Sequence, residues 1–305
     1  MASQRIAVIG AGLMGHGIAL TLARAGHQVA VTDPIAEARA ALQGRVADSL
    51  RLMGVLDSAL ILASITVHET IPEAVRSAQY VFEAAPEKMP LKQAIFAEIE
   101  ANVPDTTILA SNTSVMPITA IMSGLRLKQR ALGTHWWNPP HLIPLVEVIR
   151  TADTSEPTMS AMTDLLLHAG KTPVRVEKDV PGFIGNRLQH ALWREAISLV
   201  ERGICDAASV DAVIKASFGR RLAVLGPLEN ADLVGTDLTL DIHNTVLADL
   251  ENRPGPSPLL QQIVAEGRLG MKTGQGFHSW TKAEAQAVRE RVVRHLLRLE
   301  TILEG

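Results

Sequence analysis

The sequence lacks several features that would mark a secreted, metal-binding or nucleic-acid-binding protein. Its single cysteine, Cys205, can form no disulfide within the chain and fits a reducing cytoplasm. The 29 basic and 32 acidic residues leave a net charge of −3, which favours neither nucleic acid nor an anionic membrane surface as a partner. No cluster of His, Cys and acidic residues has the spacing of metal ligands, so we predict no metal site.

Residues 6–23 carry no charge, but they do not predict a membrane-spanning helix. The run is shorter than the ~20 residues that a span requires, and four glycines and a histidine interrupt it. A secretory signal would also need a basic start and a cleavage site, and both are poor here. With 305 residues, 47% hydrophobic and 20% charged, the chain instead predicts an ordered cytoplasmic protein with room for two domains.

A glycine-rich turn near the start of the chain is the most informative local motif. An apolar run over residues 6–9 enters the turn, a helical segment follows, and a second apolar run ends at Asp33. Gly10, Gly12 and Gly15 allow a tight turn, the close approach of a pyrophosphate and close helix packing, respectively. Asp33 is placed to accept hydrogen bonds from the adenosine ribose and would repel a 2′-phosphate. The motif therefore predicts a dinucleotide site that prefers NAD over NADP, with FAD as a rival because flavoproteins use the same opening.

Strand and helix patterns alternate through the first part of the chain, as a parallel α/β sheet requires. A helical stretch from Asp33 to about residue 60 is followed by apolar runs that predict strands over residues 65–67, 80–85, 106–111, 130–136, 144–149 and 172–176. After about residue 180, helical periodicity dominates and strand signals nearly vanish. The chain therefore predicts an α/β domain followed by an all-helical domain.

Polar side chains follow the ends of several predicted strands, where ligands bind in such sheets. Ser114 lies just after one strand, His135 ends another, and Glu147 lies in a strand that could return antiparallel beside it. Oxidising an alcohol with NAD requires a base, and a neutral imidazole oriented by a carboxylate suits that role near pH 7. Ser114 and Asn186 could supply hydrogen bonds to substrate oxygens. A hydrolase triad is the competing interpretation, but no Gly-x-Ser-x-Gly sequence surrounds Ser114.

Seven segments make the chain recognisable as a whole. They are IAVIGAGLMGHGIA, VFEAAPEKMPLKQAIF, ASNTSVMPIT, GTHWWNPPHLIPLVEVI, DVPGFIGNRL, GPLENADLVG and GMKTGQGF. Together they resemble the L-3-hydroxyacyl-CoA dehydrogenase family over essentially the full length of the chain. The resemblance implies a Rossmann-like NAD-binding domain over residues 1–180 and a helical substrate and dimerisation domain over residues 181–305. It also implies an active site in a cleft between the domains and a role in fatty acid metabolism.

The resemblance also implies roles for individual residues. By matching position, His135 is the catalytic base, Glu147 its orienting partner, and Ser114 and Asn186 substrate-side groups. Contacts with NAD are implied for the turn and for more distant positions, namely Gly10, Gly12, Leu13, Met14, Gly15, Asp33, Glu87, Lys92, Asn112, Asn138 and Lys272.

Two features distinguish this chain from the acyl-CoA enzymes that it resembles. Those enzymes commonly carry a longer, lysine-rich helical insertion between the second and third strands, whereas residues 34–64 are short here and contain no lysine. A site for the phosphates of CoA should be net basic. Long-chain relatives usually have Phe-Phe after the base, where this chain has Trp136 and Trp137. The run HWWNPPHLIPLVEV is more similar to members that act on small free acids, among them the carnitine, gulonate and pyridine-carboxylate dehydrogenases.

The leading hypothesis is an NAD-dependent dehydrogenase of the 3-hydroxyacyl-CoA type that oxidises a secondary 3-hydroxy group to a ketone. The first alternative is the same chemistry on a small free acid, whose carboxylate would need a cation such as Arg187, Arg194, Arg220 or Arg221. The second alternative is a non-catalytic dinucleotide-binding protein, as the lens crystallin related to gulonate dehydrogenase illustrates. In each case we expect a homodimer formed through the helical domain.

Overall fold

The computed structural model describes residues 1–56 and 58–303, which divide into two compact units. Unit 1 consists of residues 1–187 together with the chain from residue 293 onward, and unit 2 consists of residues 188–292.

Unit 1 contains an eight-stranded sheet with the order β3-β2-β1-β4-β5-β6-β7-β8. The strands are β1 (Arg5–Ile9), β2 (Gln28–Thr32), β3 (Ile65–His68), β4 (Tyr80–Glu83), β5 (Ile108–Ser111), β6 (Ala131–Trp136), β7 (Leu145–Ile149) and β8 (Thr172–Val176). Neighbouring strands pair in parallel, apart from β6 and β7, which pair antiparallel. The predicted α/β class is confirmed, as is the antiparallel return of the strand that carries Glu147.

Helices connect the strands and cover both faces of the sheet. They are α1 (Gly15–Arg24), α2 (Ala36–Leu52), α3 (Ala59–Ala63), α4 (Ile71–Val75), α5 (Met89–Asn102), α6 (Ile118–Ile121), α7 (Glu156–His168) and the start of α8 (Gly185–Glu201). The helical stretch predicted to about residue 60 is interrupted, because Gly54 adopts a positive φ of +71° that ends the turn after α2.

The strands are continuous apolar runs because each face of the sheet packs against a buried layer. Side chains alternate along a strand, so Val8 and Phe82 face one hydrophobic cluster while Ala7 and Val81 face the other. This packing holds the carboxyl ends of the parallel strands β1, β4, β5 and β6 along one edge of the sheet.

Unit 2 is helical throughout its regular elements. It contains the remainder of α8, then α9 (Ala207–Ala216), α10 (Pro227–Val234), α11 (Thr236–Val246), α12 (Pro258–Ala265) and the first part of α13 (Lys282–Leu303). Its extended pairings are two isolated bridges, Gly270 with Gln275 and Gln275 with Ser279. None of the described helices is long and apolar enough to cross a membrane. Within residues 1–56 and 58–303 there is likewise no group of three or more His, Cys, Asp or Glu residues that could hold a metal ion.

Candidate active site

The centre of the site is a buried histidine–carboxylate pair on adjacent strands. His135 in β6 lies directly opposite Glu147 in β7 in the antiparallel register. The Nδ1 atom of His135 is 2.7 Å from Oε2 of Glu147, and the two side chains are 5% and 1% exposed. The strand pairing therefore brings together the two residues expected to act as base and orienting partner.

The second oxygen of Glu147 is bound by the turn that begins α8. The backbone N–H groups of Ile184 and Gly185 donate to Oε1 at 2.8 and 3.0 Å. Gly182 and Phe183 both have positive φ, +76° and +49°, in the residues just before these donors. A side chain in the left-handed region costs about 1–2 kcal/mol, so this turn is strained at Phe183. The strained conformation aims two consecutive N–H groups at one carboxylate oxygen.

These hydrogen bonds decide the charge of Glu147 and the tautomer of His135. Burial alone would raise the pKa of the Glu147 carboxyl, but the hydrogen bonds from His135, Gly185 and Ile184 outweigh it and lower this pKa below its usual range. An ionised carboxylate only accepts hydrogen bonds, so Nδ1 of His135 must donate its proton to Oε2. In the neutral ring, Nε2 then carries the free lone pair that can accept a proton.

Two aromatic rings flank the histidine. The ring centroid of Trp137 lies 5.2 Å from that of His135, and the ring centroid of Phe183 lies 5.6 Å from it. Both rings are tilted by about 50° to the imidazole. These apolar neighbours limit the access of water to the imidazole, which strengthens its hydrogen bond with Glu147.

Ser114 and Asn186 lie side by side, as their predicted substrate role requires. The side-chain amide of Asn186 donates to the carbonyl oxygen of Ser114 at 2.8 Å. The Ser114 N–H donates to Oε1 of Glu87 at 2.7 Å, and the hydroxyl of Thr113 donates to the other Glu87 oxygen at 2.8 Å. The backbone of Ser114 is thus held on both sides. Glu87 anchors this loop, and its predicted contact with NAD stays a prediction.

The remaining predicted cofactor residues beyond the turn are in different surroundings. Asn112 is buried and its side-chain oxygen accepts the N–H of Trp136 at 2.9 Å, which ties the end of β5 to β6. Asn138 is exposed just after β6 and precedes a cis peptide bond to Pro139. Lys272 belongs to unit 2. Their roles in binding NAD stay predictions.

Lys92 forms part of a buried charged cluster that sequence reasoning did not identify. Its ammonium donates to Oε1 of Glu83 at 2.7 Å and to the carbonyl of Ala85 at 3.0 Å. The other Glu83 oxygen accepts the hydroxyl of Ser111 at 2.6 Å. Both charged side chains are at most 1% exposed, so the lysine neutralises a carboxylate in the interior. The sequence signal for this cluster was a Glu inside an apolar strand pattern, followed nine residues later by a Lys in a helix.

The glycine-rich turn has the geometry that its sequence predicts. Gly10 has a φ of +114°, and a Cβ there would lie 2.8 Å from the carbonyl oxygen of Ala84. A Cβ on Gly15 would overlap the carbonyl oxygen of Gly10, so α1 can approach β1 only with glycine at this position. A Cβ on Gly12, in contrast, has no atom within 4 Å. Open space lies over Gly12 beside the start of α1, where N–H groups and the helix dipole attract phosphate.

Asp33 lies next to this turn at the carboxyl end of β2. One carboxylate oxygen accepts the N–H of Ala11 at 2.8 Å, and the other accepts the N–H of Ile35 at 2.9 Å. These bonds fix the carboxylate beside the turn while it stays partly exposed. The next residues of the turn differ in exposure, since Leu13 is 64% exposed and Met14 is half-buried.

His16, in the first turn of α1, packs beside His141, and no sequence pattern predicts this contact. The rings of His16 and His141 are 5.8 Å apart, and Nδ1 of His16 is 3.0 Å from the carbonyl of Gly12. Gly17 leaves the room for Pro140 and His141 to pack on α1. Burial, together with the nearby charges of His16, Lys171 and Arg24, lowers the pKa of His141 to about 4.

The family of the chain follows from comparison with known proteins. The family model described as "3-hydroxyacyl-CoA dehydrogenase, NAD binding domain" matches residues 5–180, and the C-terminal domain of the same family matches residues 182–280. The chain belongs to the 3-hydroxyacyl-CoA dehydrogenase family. It is therefore an oxidoreductase that uses NAD and acts on CH–OH groups, and the predicted resemblance is confirmed.

Individual relatives include enzymes of both substrate types. The 5-formyl-3-hydroxy-2-methylpyridine 4-carboxylate 5-dehydrogenase of Mesorhizobium japonicum is 36% identical over 99% of both chains. A solved structure of an enzyme of this name, described as an NAD⁺-dependent dismutase, superposes with a TM-score of 0.93 at 34% identity, again over 99% of both chains. The (S)-3-hydroxybutyryl-CoA dehydrogenase of Ralstonia eutropha superposes with a TM-score of 0.77 at 34% identity, over 92% of this chain and all of that one.

NAD fits the turn described above, because the open space over Gly12, the start of α1 and the Asp33 carboxylate match the pyrophosphate and ribose of a dinucleotide. When bound, NAD supplies the acceptor for the hydride that leaves the CH–OH carbon.

The glycines of this dehydrogenase should separate cofactor binding from folding. We expect Gly12→Ala to weaken NADH binding about tenfold or more, with little change in unfolding temperature, because its methyl group enters only open space. Gly15→Ala should instead lower the free energy of unfolding by about 1–3 kcal/mol, since its methyl group meets the carbonyl of Gly10. Fluorescence titration with NADH and thermal unfolding measure the two effects.

Gly44→Ala is the matched control, because Gly44 lies within α2 with no atom within 4 Å of a built Cβ. It should leave NADH affinity unchanged and the protein at least as stable. Wild-type NADH affinity in Gly12→Ala would contradict the assignment of this glycine to the pyrophosphate site.

The His141 side chain should make the protein sensitive to mild acid. Below its ordinary pKa of 6.5 an unfolded histidine takes up a proton, whereas His141 in the folded protein resists protonation until about pH 4. Stability is therefore lost as the pH falls from 6.5 to 4, by about 3 kcal/mol at most. We expect His141→Gln to flatten this part of the pH dependence, measured by urea unfolding at about pH 7, 5.5 and 4.5.

His295→Gln serves as the control because His295 is exposed on α13. Its curve should follow that of the wild type at each pH. An unchanged pH dependence in His141→Gln would show that this histidine is not the group that resists protonation.

Proposed function

We propose that this family member oxidises a hydroxyl-bearing carbon of a small free carboxylic acid, and that His135 is the base. The observation that carries the proposal is the buried pair of His135 and ionised Glu147. In the first step, Nε2 of His135 accepts the proton of the substrate hydroxyl group, while a hydride leaves the carbon that carries this group. The imidazolium that forms is stabilised by the Glu147 carboxylate 2.7 Å from Nδ1.

Ser114 and Asn186 are proposed to position the substrate oxygen. Because the backbone of Ser114 is held by Glu87 and Asn186, its hydroxyl has a defined starting position. A hydrogen bond from this hydroxyl to the reacting oxygen would favour the negative charge that develops there. Asn186 is buried beside it; one N–H of its amide donates to the Ser114 carbonyl, and the second N–H can donate to the same substrate oxygen.

Two observations favour a free acid over an acyl-CoA. The three arginines of residues 34–64 already donate to protein acceptors, Arg39 to Asp33, Arg45 to Ala11 and Arg51 to Asp48, at 2.7–3.0 Å. With no lysine in the stretch, it offers no cluster of cations for the phosphates of CoA. The fold also agrees more closely with the pyridine-carboxylate enzyme than with the hydroxybutyryl-CoA enzyme, at TM-scores of 0.93 and 0.77.

The substrate carboxylate needs a cationic partner in the site. The cation for the substrate carboxylate is one of the four arginines named above, of which Arg187 lies in unit 1 next to Asn186. A free-acid substrate would also remove the role in fatty acid metabolism that the family resemblance implies. A cytoplasmic location stays a prediction.

A substrate panel tests the proposal directly. We expect NAD⁺ reduction with at least one small acid, drawn from hydroxylated pyridine carboxylates and their formyl analogues, carnitine and sugar acids. Its kcat/KM should exceed that of 3-hydroxybutyryl-CoA by about a hundredfold or more, because sites built for polar recognition discriminate substrates by up to about 10⁴–10⁵-fold. A preference for the thioester would contradict the proposed substrate class.

Variants of His135 and Glu147 test the proposed mechanism in the same assay. His135→Gln and Glu147→Gln should each lower kcat about 10²–10⁴-fold while NADH affinity is retained, because neither residue lies at the glycine-rich turn. Glu98→Gln, at an exposed position of α5, should have no effect. If the His135→Gln variant retained turnover, the assignment of His135 as the base would be wrong. No turnover of any panel member by the wild type, with intact NADH binding, would favour a non-catalytic dinucleotide-binding protein.

We also propose that unit 2 forms a homodimer. It exposes large apolar side chains in numbers unusual for a monomer surface, including Val213, Val224, Leu228, Leu233, Leu238, Leu240 and Leu247. Burying such a surface against a second copy would stabilise both chains. Light scattering should give twice the 32.8 kDa mass of one chain. Leu233→Asp, at a 72% exposed position, should shift the protein towards monomer, and a monomeric wild type would contradict the proposal.

A further inference from the structure

The two consecutive tryptophans after the base have different environments. Trp136 is 2% exposed and packs edge-on against Phe82 with the ring centroids 6.0 Å apart, so it belongs to the core of unit 1. Trp137 points to the other side of the strand and lies 5.2 Å from the ring of His135. Trp137 is therefore the tryptophan that borders the base.

Gly185 provides the space that Trp137 occupies. A Cβ built on Gly185 would overlap Cζ2 of the indole, and Cε2 and Cη2 would each lie 3.3 Å from it. Gly185 is the first residue of α8 and has no positive φ, so its backbone conformation does not require glycine. What requires glycine is the six-membered ring of Trp137. The ring fills the volume between His135 and the start of α8, next to Asn186.

The indole N–H is buried without a hydrogen-bond partner among the residues that the structure describes. Leaving such a donor unpaired is destabilising, and a structural packing role alone would be met equally well by an apolar ring. An unpaired donor beside a catalytic base is the arrangement expected where a ligand oxygen completes the site.

We propose that Trp137 and Gly185 form a matched pair that determines substrate specificity, an inference that rests on the proposed function. The indole provides a flat wall beside the base, and flat conjugated acids pack well on such a face. The same ring takes up the space that a longer acyl chain would need, and its N–H is available to a substrate oxygen. The pair thus selects small, planar carboxylic acids.

Trp137→Phe tests the role in specificity. It removes the second ring and the N–H but leaves His135 and Glu147 unchanged, so KM for the best acid of the panel should rise about tenfold or more, while kcat changes little. Bulkier 3-hydroxyacyl thioesters should gain kcat/KM relative to the wild type because space is released. Unchanged KM and unchanged preference for substrate size would overturn the proposal.

Gly185→Ala tests the match between the two positions. Its methyl group overlaps the indole, so the unfolding temperature should fall by several degrees and kcat/KM should fall about tenfold or more. The double variant Trp137→Phe, Gly185→Ala should recover at least half of the lost unfolding temperature, because a phenyl ring leaves that volume free, and its kcat/KM should be no lower than that of Trp137→Phe alone. Gly44→Ala, a helical glycine with open space around it, should change neither. If the losses of the two single variants simply added in the double variant, the proposal that positions 137 and 185 are matched would be overturned.

These readouts separate the failure of this inference from failure of the proposed function. Thermal unfolding needs no substrate, so it measures the coupling between positions 137 and 185 even if no acid of the panel is turned over. A wild type that prefers thioesters would reject the free-acid substrate. In that case the dependence on acyl size in Trp137→Phe still supports or overturns the role of the pair.

Discussion

The buried carboxylate of Glu147 is the interaction on which the site depends. It is 1% exposed and accepts hydrogen bonds from His135, Ile184 and Gly185 at 2.7–3.0 Å. Since a buried charge without such partners is strongly destabilising, the strand carrying His135 and the start of α8 must both stay in place around it. One side chain therefore fixes the tautomer of His135 and also the position of Asn186, which follows Gly185 directly.

Carboxylates hold the neighbouring loops in the same way. Glu83 accepts hydrogen bonds from the ammonium of Lys92, the hydroxyl of Ser111 and a backbone N–H. Glu87 accepts a hydrogen bond from the backbone N–H of Ser114 and so holds the loop that ends there. Each of these acids binds groups from a neighbouring loop or strand. The edge of the sheet is thus organised by acceptors that pair with otherwise unsatisfied donors, and the hydrophobic core beneath it supplies a rigid support.

The sequence predicted the parts of this arrangement that follow from local patterns. The turn over Gly10, Gly12 and Gly15, the α/β class and the antiparallel return of β7 all rest on short-range periodicity and glycine spacing, and the structure has them. The buried Lys92 cluster and the contact of Trp137 with Gly185 were not predicted. Both depend on which side chains meet after distant segments pack, and a single sequence does not encode such distances in its periodicity.

The register of β6 and β7 separates the chemistry from the loop that joins the two strands. His135 and Glu147 face each other because of the backbone ladder, and a slip of one strand by one residue would place the two side chains on opposite faces of the sheet. Residues 137–144 connect the strands and carry Trp137 and His141, outside the paired residues of β6 and β7. Exchanges of side chains in this connection can therefore reshape the surroundings of His135 while its pairing with Glu147 stays intact. A fold built this way can change the lining around the pair without altering the pair itself.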